Sequence, residues 1–135
     1  MTPSPRFVRG AYSAAGIYGL LVMLPQYWME RRIGQDAPPA ITHPEYFYGF
    51  IGVVVAWQLV FLLIARDPAR YRALMAVTVL EKLAFGIPAV LLYAQSRLSA
   101  SVLGFGLIDL VLAAVFAACW SITGERRLGR ARAVA

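Results

Sequence analysis

Residues 46–65 read YFYGFIGVVVAWQLVFLLIA, twenty consecutive positions without a charged side chain. A helix of about 20 residues, rising ~1.5 Å per residue, reaches across the ~30 Å hydrocarbon core of a bilayer. The run is too long for a strand and shows no strict alternation, so it predicts a membrane-spanning helix. Outward from it, Gly10 to Met29 is equally free of charge. Ala73 to Ser96 is apolar apart from Glu81 and Lys82, and Leu98 to Gly124 apart from Asp109. The expected fold is therefore all-α: an integral membrane four-helix bundle forming one domain over residues 1–135. Its helices are expected near 9–29, 45–65, 72–95 and 99–122, with a basic tail at 125–135. Composition agrees, with 60% hydrophobic and only 15% charged residues, where a soluble domain carries about 25% charged. A single cysteine excludes an internal disulfide or a cysteine-rich metal centre held by this chain alone.

Twelve arginines set the expected orientation. Arg6 and Arg9 precede the first span, Arg66, Arg70 and Arg72 lie between the second and third, and Arg126, Arg127, Arg130 and Arg132 follow the fourth. Only Arg31, Arg32 and Arg97 fall on the other side. The positive-inside rule then puts both termini in the cytoplasm, and short loops make the bundle up-down-up-down. The first span is too long for a signal-peptide core and no small-x-small cleavage site follows it, so it is expected to stay. Tyr27, Trp28, Tyr46, Phe47 and Tyr48 read as an interfacial aromatic belt. The outer segment Arg31 to Glu45 carries Gly34, Pro38, Pro39 and Pro44 and should be irregular. Thr42-His43-Pro44-Glu45 fits a capping box opening the second span. Pro25 and Pro88 should bend their helices.

Ionisable side chains at membrane depth carry the functional reading. A charge at the bilayer centre costs at least ~2.5–3.5 kcal/mol, so such groups usually face the bundle interior and are paired or functional. Counting from the span ends puts Glu81, Lys82 and Asp109 at one mid-membrane level, about 13–15 Å deep. Gln58 and Tyr18 fall at the same level, so one polar layer of Tyr18, Gln58, Glu81, Lys82 and Asp109 is expected. Adjacent helix residues point about 100° apart. Lys82 should thus pair with Asp109, leaving Glu81 to Gln58 or Tyr18, or neutral through desolvation. Two acids and one lysine leave a carboxyl over, which makes Glu81 the candidate for proton transfer or for donation to a ligand carbonyl. Trp57, beside Gln58, is a candidate ligand-facing ring. Buried ion pairs and glutamine bonds can equally be structural, fixing helix register.

Other positions read as packing. Gly16 with Gly19, Gly49 with Gly52, Gly104 with Gly106, Ala113 with Ala117 and Ala114 with Ala118 offer small surfaces for close helix approach, and Cys119 is a small buried hydrophobe. His43 with Glu45 and Asp36 is a poor metal set, and no metal or other cofactor is expected. The arginine-rich tail points to anionic lipid headgroups. Nucleic acid is not an expected partner, because no folded cytoplasmic domain presents a groove. No nucleophile–base arrangement, phosphate-cradling loop, HExxH or CxxC is present.

The stretch Ala65-Arg66-Asp67-Pro68-Ala69-Arg70-Tyr71-Arg72, running into Glu81-Lys82-Leu83-Ala84-Phe85-Gly86, resembles small bacterial four-helix membrane proteins of the DoxX-like type. That resemblance implies a multi-pass protein of the bacterial cytoplasmic (inner) membrane and an association with quinone-linked redox complexes. The buried acids are also similar in kind to those in the bundle cavity of EXPERA-fold proteins. The leading expectation is a bundle that binds a small apolar molecule, a quinone, isoprenoid or sterol-like lipid, with Glu81, Lys82, Asp109, Gln58, Tyr18 and Trp57 around it. The alternative is an accessory or scaffold subunit of a larger membrane complex, with structural charges. A proton-coupled transporter ranks third and would require a homodimer.

Overall fold

The computed structural model describes residues 5–134, with side chains described for 6–124. The chain forms α1 (Pro5–Met23), α2 (Glu30–Asp36), α3 (Pro44–Arg66), α4 (Arg72–Ala94) and α5 (Ala100–Val134), and no strand occurs among the described residues. Four stretches are long and apolar enough to cross a membrane: Arg6–Trp28, Pro44–Arg66, Arg72–Ala94 and Ala100–Gly124.

The first span differs from the expected continuous helix. Its α-helix stops at Met23, and Leu24–Trp28 tightens into a 3-10 turn. Pro25 has no N–H to continue the ladder. The amide of Gln26 donates instead to the Val22 carbonyl at 3.2 Å, so a side chain replaces a lost backbone donor. Pro88, by contrast, sits inside a helix that runs through it. Asp67 ends α3 in an extended conformation, as a residue before proline should, and its carboxylate accepts the Arg70 N–H at 3.1 Å to close the turn into α4.

The outer segment is only partly irregular. Residues 30–36 form α2, against the expectation that Gly34 and the prolines break the whole stretch. Glu30 in the first turn complements the helix dipole, and Arg32 meets Asp36 at 3.4 Å one turn on. The Tyr48 hydroxyl donates to Glu30 at 2.6 Å and ties α2 to the start of α3. The capping box does not form: His43, not Thr42, caps α3, without a side-chain cap bond, and its Nδ1 lies 3.2 Å from Glu45 instead. Beyond the expected end near 122, α5 continues through Val134, so the basic tail is helical. The tail's side chains, and its expected lipid contacts, lie outside the described residues.

Packing is uneven along the bundle. At one end Val8, Tyr12 and Ala15 of α1, Phe61, Ile64 and Ala65 of α3, Met75 of α4, and Phe116 and Cys119 of α5 close into one buried cluster. Tyr12 stacks on Phe116 at 4.2 Å, and Phe61 meets both rings edge-on. Thr78 donates to the Met75 carbonyl at 2.8 Å, so the Tyr12 hydroxyl, also at 2.8 Å, is the donor to Thr78. Elsewhere the helices hold as two tight pairs, α1 with α3 and α4 with α5, which touch each other lightly. Missing side chains explain the tightness. A Cβ on Gly16 would come within 2.9 Å of Leu62, and one on Gly19 would run into Gln58. In the second pair, a Cβ on Gly86 would lie 2.7 Å from Leu110, and one on Gly106 would lie 2.5 Å from that of Ala89. Gly49 and Gly104 face nothing within 4 Å, so neither serves the close approach expected of it. Ala113 is buried and Ala117 half-buried, whereas Ala114 and Ala118 are exposed, so only the first pair of alanines faces inward.

Candidate functional site

Because the two pairs meet closely only at the aromatic end, a cavity of about 860 Å³ remains between them over the rest of their length. That lies within the ~300–1,000 Å³ range of small-molecule sites. Its walls are mainly apolar, with Val54 and Trp57 of α3, Leu80 and Phe85 of α4, and Phe105 of α5 among them. Met29 and Ile33 of the α2 region reach its far end.

All six side chains singled out in the sequence line this cavity: Tyr18, Trp57, Gln58, Glu81, Lys82 and Asp109. Within the expected polar layer of Tyr18, Gln58, Glu81, Lys82 and Asp109, direct polar contacts link only part of the set. Three come together. The Lys82 ammonium donates to Asp109 at 3.0 Å across α4 and α5, and lies 3.3 Å from the nearer oxygen of Glu81. The long lysine side chain lets one ammonium reach Asp109 on α5 and also its own neighbour Glu81, although adjacent helix positions point about 100° apart. Glu81 therefore meets Lys82, not Gln58 or Tyr18. The Gln58 amide turns back to the Val54 carbonyl on its own helix at 3.0 Å, and the same side chain packs against Gly19.

The ionic group rests directly on the aromatic cluster, with the Lys82 ammonium 5.3 Å from the centre of the Phe61 ring. Lys82 is almost fully buried, whereas Glu81 and Asp109 keep 14% and 16% of their side chains exposed. Both acids line the cavity, so the group presents carboxylates to that space and hides its ammonium.

Sequence reasoning missed two contributors. The Tyr12–Thr78 bond joins α1 to α4 beneath the ionic group, and Thr78, the one hydroxyl in the otherwise apolar run Ala73–Leu80, was the signal for it. Gly86, at the level of Gly106 on the neighbouring helix, sets how closely α4 and α5 approach just beyond Lys82. No group of three or more histidine, cysteine or acidic side chains suited to a metal occurs among the described residues. Compared with known protein families, curated proteins and solved structures, the chain matches none.

Proposed function

We propose that this is a multi-pass protein of the bacterial cytoplasmic membrane that holds a small, mostly apolar molecule between its two helix pairs. The guest has a body of the size of a quinone, isoprenoid or sterol-like lipid. The observation that carries this reading is the cavity of about 860 Å³ with apolar walls and Glu81, Lys82 and Asp109 on its inner surface. The nine-to-three arginine imbalance supports an up-down-up-down bundle with both termini in the cytoplasm. The four-span plan is what supports a place among DoxX-like proteins. In this reading Glu81 meets the polar end of the guest, and Lys82–Asp109 holds α4 to α5. Native mass spectrometry on protein extracted gently from its own membranes tests it. A small molecule of defined mass should accompany the protein and be lost in Glu81→Gln, whose fold should survive because the Lys82–Asp109 bridge remains.

The second reading, a scaffold subunit, draws on the same 3.0 Å bridge, which needs no ligand to be useful. It expects a stoichiometric protein partner in the same spectra, no small molecule, and an indifferent Glu81→Gln variant.

A further inference from the structure

Glu81, Lys82 and Asp109 are the charged residues among those lining the cavity. One ammonium against two carboxylates leaves a negative charge in excess. In an apolar, low-dielectric space such an excess is costly until a proton or a bound cation compensates it, and a guest that carries its own proton brings both together.

Hydrogen-bonding capacity is skewed the same way. Lys82 is 5% exposed, its ammonium donates to Asp109 and lies 3.3 Å from Glu81 Oε2, and that buried carboxylate oxygen is left without a hydrogen-bond partner. The Gln26 amide donates to the Val22 carbonyl and the Met23 sulfur, and the Gln58 amide to the Val54 carbonyl. Both glutamines thus turn donors back onto their own helices. Each carboxylate places one oxygen toward Lys82 and keeps its exposed remainder on the cavity. What the ionic group offers a guest is therefore acceptors bearing net negative charge. Tyr18 of α1 and Trp57 of α3, on the facing helix pair, add aromatic rings of the kind that attract cations.

We infer that the guest is an amphiphile whose head is a protonated amine and whose body is apolar. The ammonium sits on the cavity side of Glu81 and Asp109, away from Lys82, and the chain or ring system fills the space toward Phe50, Phe85 and Phe105. This rests on the cavity being a ligand site and narrows what that site takes: quinones and esters bring acceptors to an ionic group that already presents acceptors.

The test uses the full chain in neutral detergent near pH 7, with hexadecylamine, methyl palmitate, decylubiquinone and phosphatidylethanolamine as probes and thermal unfolding as readout. A guest that binds the native state raises the unfolding temperature. Hexadecylamine should raise it by several degrees and the two acceptor-only probes should not. Glu81→Gln should weaken the amine's apparent affinity by about tenfold or more, the scale of a lost charge-assisted hydrogen bond. Stabilisation by phosphatidylethanolamine as well as hexadecylamine would support the inference and make a lipid headgroup a source of the amine; stabilisation by hexadecylamine alone would support it with a free amine as the guest. Equal stabilisation by amine and ester, or stabilisation by quinone or ester alone, overturns the inference while leaving the cavity reading standing. No stabilisation by any probe, with no small molecule in the native spectra, overturns both.

Discussion

Lys82 holds two acids from two helices on one ammonium, and removing it leaves a pair of carboxylates facing each other at membrane depth. Lys82→Met should destabilise the protein by about 3–5 kcal/mol, the cost of orphaning a buried charge. Thermal unfolding in detergent should show that loss partly recovered in the double variant Lys82→Met with Asp109→Asn, and largely recovered when Glu81→Gln is added. A second residue-scale asymmetry sits one turn below. Tyr12 donates to Thr78, which itself donates to Met75. Tyr12→Phe removes one hydrogen bond and orphans no donor, so its cost should be about 0.6–1.7 kcal/mol. Thr78→Val strands the buried tyrosine hydroxyl and should cost more, about 1–3 kcal/mol. Equal losses in the two variants would contradict the donor order. Of these contacts, Lys82–Asp109 was legible in the sequence, because counting residues from the span ends places both at one depth. The Glu81–Lys82 contact was not, since adjacent helix positions diverge and only the length of the lysine side chain brings them together.

At the scale of elements, glycine placement separates helices that must touch from helices that need not. Gly106→Ala drives a methyl into Ala89 and should cost about 1–3 kcal/mol as α4 and α5 are pushed apart. Gly104→Ala, two positions away with open space beside it, should leave the unfolding temperature unchanged or slightly raised. The spans themselves were legible because two uncharged runs of twenty residues, and two more interrupted only by Glu81–Lys82 and Asp109, leave few alternatives. The α2 helix was not: Gly34 and the nearby prolines read as breakers, yet the prolines all fall after Asp36 and the glycine costs a seven-residue helix little. Which glycines face a partner also escaped the sequence. When a helix is apolar all round, periodicity does not reveal its rotation.

Across the whole molecule, the two pairs behave as the working units. α1 with α3 and α4 with α5 are each sealed by missing side chains, and the aromatic cluster joins them at one end only. Reporter fusions at both termini should be active only in the cytoplasm if the arginine imbalance sets the topology. That orientation gives the uneven packing a further consequence. The aromatic plug occupies the half of the bundle beside the arginine-rich loops, and the cavity occupies the other half. In that orientation any traffic between cavity and lipid would have a sidedness: the outer leaflet would be the one to exchange molecules with it, and the inner leaflet would face a stopper of Tyr12, Phe61 and Phe116. A protein retaining Trp57 as its sole tryptophan should be quenched by brominated acyl chains confined to the outer leaflet and spared by the same chains in the inner one. With the proposed orientation and a guest in the cavity, such a molecule would sample one monolayer of its membrane.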